Sequence, residues 1–458
     1  MGLLCGRHVL LIAAVLALRL PFLQQPIQGD DPYYLYGAEH AQIEPLHPNH
    51  ARYLFQGDLV DMRGHPHPPL NSWMLGALLA ALGDVREAPF RFAYSLFSLI
   101  AALAMYSLAR RFCDRPLLAT LLFLAVPAFV VNGNSLEADV PLLALRLAAV
   151  ACFVRAVDLH KSETRSGAAL AGAVVAGVLA GLCAYQAVFL APILALYLWP
   201  RREWRMAWIA VLAAPAALTV WQLWERASSG AMPATVLAGY MQTYALQALV
   251  SKTRNAAALV VHAGWIVSPL IVMAAFGRRR WPVAVAAGAA ALAALYDFNP
   301  LFWISVGCGV LVLLHSVMQR DFLGEWIAMF FAGAVVVFFA GSARYLLPMA
   351  APVAILAVRA VSSRVLWIGF ALQMALSIAL AGANYQHWNG YREFARSVQR
   401  EGNGADRLIV RLLQPRRLRP VGRCRRIDEH LRPGCPQLRA KAAYGRIVVG
   451  PQAFELHV

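Results

Sequence analysis

The sequence predicts an all-α, multi-pass membrane protein with about 13 transmembrane helices and a small extracytoplasmic α/β region at its C-terminal end. Three observations carry this expectation. Of 458 residues, 60% are hydrophobic and 14% charged, where soluble domains carry about 25% charged residues. The apolar residues gather into runs near the roughly 20 residues that a bilayer crossing needs. Lys and Arg cluster at alternate ends of these runs and leave the opposite turns bare, as the positive-inside rule requires.

The apolar runs fall at about 8–24, 90–109, 116–132, 140–157, 167–183, 186–199, 206–224, 262–277, 282–296, 301–318, 323–341, 345–361 and 365–383. The first follows Arg7, as in a secretory signal, but "LRLPFLQQPIQGDD" offers no small-x-small cleavage site, so an uncleaved first helix is expected. A further stretch, 68–83, is short for a crossing. If it lies along the interface and the N-terminus is cytoplasmic, Arg110/Arg111, Lys161/Arg165, Arg201/Arg202/Arg205, Arg278–Arg280, Arg320 and Arg364 all face the cytoplasm. The turns 133–139, 184–186 and 297–300 then face outward with no Lys or Arg. This assignment gives a membrane domain over 1–383 with outer loops 25–89 and 225–261. It also gives a basic extracytoplasmic region over 384–458, all in the plasma (inner) membrane.

The net charge of +17 does not point to a nucleic-acid partner. Most of the basic residues sit at run ends or in the last seventy or so residues. The tail segment "QPRRLRPVGRCRRIDEHLRPGC" has two readings, a solvated small domain or a surface touching anionic lipid. "RLIVRLL" and "GRIVVGPQAFELHV" read as short strands there. Of seven cysteines, only Cys424 and Cys435 lie together in polar sequence, where an oxidising compartment would allow a disulfide.

Polar residues concentrate at the outward turns. "QGDDPYYLYGAEHA" sets Asp30 and Asp31 just past the first run, followed by Tyr34. Asp before a Pro-containing first turn is also a helix-capping pattern, so capping and catalysis both stand for this pair. "GHPHPPLNSWMLG" places His65 and His67 in a rigid turn; "NSLEADVPLLALRL" places Glu137 and Asp139; "GSARYLLPMAAP" places Arg344 and Tyr345. Ionisable groups at such depth are costly, which makes them functional candidates. Asp139 and Arg146 are seven apart and could pair along a helix face. Arg19, in the first run, reads as a buried partner or a snorkelling residue.

In their order these motifs resemble the GT-C superfamily of polytopic glycosyltransferases. The branch they resemble contains the protein O-mannosyltransferases, the lipid A aminoarabinose transferases and the Rgt-like proteins. The acidic pair Asp30-Asp31 with Tyr34 and Ala38, His67-Pro68-Pro69-Leu70 through Trp73, Asp139 before Val140-Pro141-Leu142, and Arg344 to Pro348 carry the likeness. Two positions depart from the pattern. Asp31 stands where members show Glu, and Gln186 stands about where they carry a phosphate-facing Lys.

The resemblance implies transfer of a sugar from a polyprenyl-phosphate donor to an extracytoplasmic acceptor, a glycolipid, polysaccharide or protein. The alternatives are a non-catalytic lipid-linked-sugar transporter and an inactive assembly subunit. It implies Asp30 as the general base of an inverting transfer, with Asp31 beside it. Arg344 would grip phosphate oxygens, with Tyr345, Asp139, Glu137, Gln186, Lys252 and Arg254 around donor or substrate, and membrane lipids beyond. His65, His67 and Tyr34 would shape the acceptor loop. No cofactor is required; a divalent metal on Asp30, His65 and His67 is a second reading of that loop.

Overall fold

The structure is a computed structural model that describes residues 2–401, apart from 56–57, 66, 160–162, 202–204, 244 and 339. The predicted tail strands, Cys424 and Cys435 lie outside the described residues. The chain opens with α1 (Gly2–Arg19) and α2 (Asp31–His40). A hairpin of β1 (Arg52–Phe55) and β2 (Asp58–Asp61) follows, then α3 (Leu70–Leu82). Next come α4 (Glu87–Phe112), α5 (Pro116–Leu124), α6 (Pro127–Asn132), α7 (Asp139–Asp158), α8 (Glu163–Gly181), α9 (Leu190–Leu198) and α10 (Trp208–Ser229). The remainder is α11 (Pro233–Thr243), α12 (Ala245–Ala263), α13 (Pro269–Phe276), α14 (Arg280–Tyr296), α15 (Pro300–Met318), α16 (Phe322–Val337), α17 (Leu347–Ala360) and α18 (Ser363–Glu401).

The chain is an all-α polytopic membrane protein, and its helices follow the apolar runs with two breaks. Pro127 has no N–H to donate and holds Val126 extended (φ −60°, ψ 124°), so the run 116–132 becomes α5 and α6. Pro269 acts likewise on Ser268 (φ −45°, ψ 135°), so the run 262–277 straddles the end of α12 and the start of α13. Among the described residues, six helices are long and apolar enough to cross a membrane. They are Glu87–Phe112, Asp139–Asp158, Arg205–Ser229, Pro300–Met318, Ala343–Ala360 and Ser363–Ser397. Shorter apolar helices include Leu70–Leu82, the stretch 68–83 expected to lie along the interface. The expected thirteen crossings are not reached on that measure, because prolines and tight turns divide or shorten several runs. α18 continues past residue 383 without a break; Arg392 there donates to the Gln24 carbonyl (3.2 Å) and meets Glu87 (3.4 Å).

The core is built around α7, which packs against α4 and α8, with α8 in turn against α10. Both faces of α7 are apolar, so it is buried along most of its length. One polar group is built into this core at the end of α1. Arg19, 2% exposed, donates to the carbonyls of Phe129 (2.8 Å) and Val130 (2.7 Å) and to Ser98 Oγ (3.0 Å). It thus adds a donor to two carbonyls in the last turn of α6, of which that of Phe129 also accepts from the Gly133 N–H (3.1 Å) and that of Val130 from Asn134 Nδ2 (3.3 Å). A Cβ on Gly133 would stand 1.9 Å from the Arg19 Cζ, so glycine is what lets the guanidinium lie against the turn.

Replacing Gly133 with alanine should therefore destabilise the protein by about 1–3 kcal/mol, read as a lowered melting temperature in detergent. Gly288→Ala, where a Cβ meets nothing within 4 Å, should leave it unchanged. Equal melting of the two variants would remove Arg19 as a packing constraint.

Candidate functional site

Four side chains from three sequence-distant segments meet at one end of the helix bundle. Arg344 lies in a short 3-10 turn, Ala343–Leu346, that leads into α17. Its Nη2 donates to Asp30 Oδ2 (2.8 Å), its Nη1 donates to Glu137, and its Nε stands 3.8 Å from Asp139 Oδ2. Asp30 comes from the turn before α2, Glu137 from the turn between α6 and α7, and Asp139 from the first turn of α7. Asp30 occupies the capping position of α2 but makes no side-chain cap bond. Its carboxylate goes to the guanidinium instead, an interaction between full charges in place of one with a backbone dipole.

The three carboxylates differ in exposure. The Asp30 side chain is 42% exposed, against 6% for Glu137 and 8% for Asp139. Burial pushes the Glu137 carboxyl well above its ordinary range, Arg344 pulls it down, and Asp139 and Asp30 push it up again. Glu137 therefore holds a proton more readily than an isolated carboxyl, which lowers the negative charge gathered on Arg344. Asp30 is the member open to a solute.

Asp31, adjacent in sequence, is wholly buried and faces elsewhere. Its Oδ1 accepts from the Leu136 N–H (2.6 Å) and its Oδ2 from the Gln28 N–H (3.1 Å), with Arg91 Nη2 at 3.4 Å. Burial pushes this carboxyl up, while Arg91 and the two backbone donors pull it down. Asp31 thus ties the turn that carries Glu137 to the turn that carries Asp30. Asn71 ties the same turn to α3, donating to the Leu136 carbonyl (3.0 Å) and accepting from Tyr94 (2.6 Å).

The remaining expected residues fall in several places. Tyr34 is buried and packs edge-on against His65 and His67, each ring centroid 5.3 Å away. Burial raises the Tyr34 hydroxyl well above its usual value, reinforced by Asp139 and Glu137. The His65 and His67 rings stand 4.8 Å apart, and Nδ1 of each is buried without a partner. Burial first, with Arg344 adding to it, lowers both to about 3. Tyr345 lies beside Arg344, 5.6 Å from its Cζ.

Arg146 does not pair with Asp139, which two helical turns place too far along the axis. Its guanidinium donates to the Gln186 carbonyl and lies 5.2 Å from the Phe330 ring. Lys252 donates to the carbonyls of Val336 (2.6 Å) and Phe338 (2.8 Å), closing the end of α16. Arg254 is exposed on α12. Trp73 Nε1 donates to the Pro45 carbonyl (2.8 Å), holding α3 to the preceding segment. Among the described residues, the group of three metal-ligating side chains whose ligand atoms all lie within 4.8 Å of one another is His47, His50 and Glu225, not Asp30, His65 and His67. The sequence reading missed this trio, although His47 and His50 share the short stretch "HPNH". It also missed Arg91, the partner of Asp31.

Beside the cluster opens a cavity of ≈ 440 Å³ lined mainly by apolar side chains. Ala343 and Leu346, which flank Arg344, form part of its wall, with Val126, Pro127, Trp265 and Leu380. The charged cluster and the apolar cavity therefore share one segment of chain.

Residues 66–224 match the family model described as dolichyl-phosphate-mannose-protein mannosyltransferase. The matched segment holds His67, Glu137, Asp139 and Gln186; Asp30 and Arg344 lie outside it. No protein of curated function matches the chain. Among solved structures, the chain is similar to ArnT from Cupriavidus metallidurans in its apo state. Identity is 16% and the TM-score 0.43, over 83% of this chain and 77% of that one. The same protein bound to undecaprenyl phosphate gives 16% identity and a TM-score of 0.44, over 87% and 81%. An oligosaccharyltransferase from Archaeoglobus fulgidus, in complex with zinc and sulfate, gives 14% and 0.42, over 92% and 59%.

The histidine environment fixes a pH dependence. The ordinary histidine value is 6.5, and the folded values are about 3. Between these limits the unfolded chain binds more protons, so the contribution of His65 and His67 to stability is present above pH 6.5 and lost as pH falls toward 3. The raised carboxyls of Asp31 and Glu137 act in the opposite sense, so the histidine part is read as a difference. Melting temperatures should fall less between pH 7 and about 4.5 in a His65→Gln/His67→Gln variant than in the wild type. Parallel curves would show that neither imidazole is held neutral.

Proposed function

We propose that this chain is a membrane glycosyltransferase of the inverting kind. It moves a sugar from a polyprenyl-phosphate carrier to an acceptor on the extracytoplasmic face of the plasma membrane, with the N-terminus cytoplasmic. The observation that carries the reading is the convergence of Asp30, Glu137 and Asp139 on Arg344 beside an apolar cavity. A lipid-phosphate substrate has an apolar tail and an anionic head, and this arrangement offers a place for each. The partial match to the mannosyltransferase family model supports the same class.

In this reading the prenyl chain enters the cavity and its phosphate competes with Asp30 for the outer edge of the Arg344 guanidinium. Glu137 and Asp139 hold the inner edge in place. Phosphate binding thereby frees the Asp30 carboxylate, which takes the proton from the acceptor hydroxyl as its oxygen bonds to the anomeric carbon. The bond from that carbon to the phosphate oxygen breaks on the opposite side. The phosphate leaves with the electron pair, its charge held by Arg344. The leaving group is already a stable anion, so no general acid is needed. Asp31 acts through position, by fixing the turns that carry Asp30 and Glu137. Arg146 supplies a second cation next to Gln186, where the family pattern carries Lys.

The test uses membranes containing wild type or variants, incubated with a radiolabelled lipid-linked sugar and envelope acceptors. Sugar and acceptor are chosen from mass spectrometry of glycolipids, polysaccharides and glycoproteins in a deletion strain. Asp30→Asn should lower transfer by about 10²–10⁴-fold while donor binding persists. Arg344→Lys, which loses the bidentate fork, should weaken donor binding as well. Full turnover by Asp30→Asn would refute the assigned base. Donor movement between leaflets without a new glycosidic bond would favour a transporter instead.

A further inference from the structure

A second polar cluster lies outside the Arg344 site and plays no part in the proposed reaction. Glu225, in the last turns of α10, is 1% exposed. A buried carboxylate needs compensating charge or hydrogen bonds, and here no Lys or Arg supplies them among the described residues. Two imidazoles do. His47 Nδ1 stands 3.3 Å from Glu225 Oε1 and His50 Nε2 stands 2.9 Å from Glu225 Oε2. The two rings are stacked, with centroids 4.5 Å apart, and Trp224 covers the His47 ring.

The geometry points to a divalent transition-metal site of the zinc type at His47, His50 and Glu225. Two imidazole nitrogens and one carboxylate oxygen form a ligand set that zinc takes, with a fourth position left for water. The ligand atoms lie within 4.8 Å of one another. Tetrahedral zinc with bonds of about 2.0–2.1 Å would space its ligands by about 3.3 Å, so the stacked imidazoles would splay and the widest pair of ligand atoms would draw together as the ion enters. The side chains of His47 and His50 keep 12% and 20% exposure, which leaves a route for a water ligand.

The surroundings add a feature of metal sites. His50 turns its other nitrogen, Nδ1, toward Glu44 Oε2 at 3.6 Å. A carboxylate hydrogen-bonded to the far nitrogen of a ligating histidine fixes its tautomer and raises its basicity; at 3.6 Å Glu44 stands just beyond such a bond and would close onto it when His50 ligates. Glu44 also meets His40 Nε2 at 3.2 Å, so it is itself held in place. Glu44 is thus a positioning residue. The metal would pin the segment after α2 to the end of α10, two parts of the chain separated by more than 170 residues.

The experiment uses the full chain purified in detergent, stripped with chelator and equilibrated with Zn²⁺ or Co²⁺. Wild type should retain about one zinc per chain after desalting and show the visible absorption of four-coordinate Co²⁺. Glu225→Gln, which keeps the side-chain shape, and His47→Ala/His50→Ala should lose both while remaining monodisperse. Glu44→Gln should keep the stoichiometry with affinity weakened about 10–100-fold. His65→Ala/His67→Ala should bind zinc as wild type does. Absence of zinc and of the cobalt band in wild type would overturn the proposal and leave a hydrogen-bonded His–Glu–His contact. So would zinc that survives Glu225→Gln, or zinc lost only with His65 and His67.

Discussion

The site depends on one guanidinium shared among three carboxylates. Arg344 is the only point at which the turn before α2, the turn before α7 and the turn before α17 are joined by charge among the described residues. Each of these groups alone would be expensive to hold near an apolar bundle. Together they lower one another's cost, and the remaining excess of negative charge is eased where Glu137 holds a proton. The same arrangement orders the carboxylates by access. Glu137 and Asp139 are enclosed while Asp30 stands open, so one member of the cluster is available for chemistry and two are anchors.

That geometry is held from behind by contacts that touch no substrate in the proposed reaction. Asp31, Arg91 and Asn71 fix the turn 133–138 through backbone groups of Leu136 and the loop at Gln25–Gln28. Arg19 fixes the preceding end of α6. A short turn between two apolar helices would otherwise have few constraints, since neither helix specifies its exit direction. Buried hydrogen bonds between the backbone and these guanidinium, amide and carboxylate groups supply that direction.

Much of this was legible in the sequence, and the limits have physical causes. Apolar runs located the helices because hydrophobic periodicity and length are local signals. They could not show that Pro127 and Pro269 would break two runs, since membrane helices elsewhere here keep an internal proline, as α10 does at Pro215 and α17 at Pro352. The motifs brought Asp30, Glu137, Asp139 and Arg344 under suspicion together. The resemblance set Asp30 ahead of Asp31 as the base, but no local signal shows which of two adjacent carboxylates meets Arg344 and which meets Arg91, because long-range packing settles that. Lys252 read as a cation for a head group, yet it closes a helix end, a choice set by where α16 stops. His47, His50 and Glu225 carried almost no joint signal, being brought together only when the loop after α2 folds onto α10.

Arg344 and the buried carboxylate of Glu137 form an interacting pair, and a double-mutant cycle measures this most directly. Unfolding or melting of detergent-solubilised wild type, Arg344→Met, Glu137→Gln and the double variant gives the interaction energy without any substrate. A coupling of about 0.5–3 kcal/mol is expected, with Glu137→Gln costing less in the Arg344→Met background than alone. Strictly additive effects would mean that the two side chains do not meet in the folded protein, and the site as described would not exist.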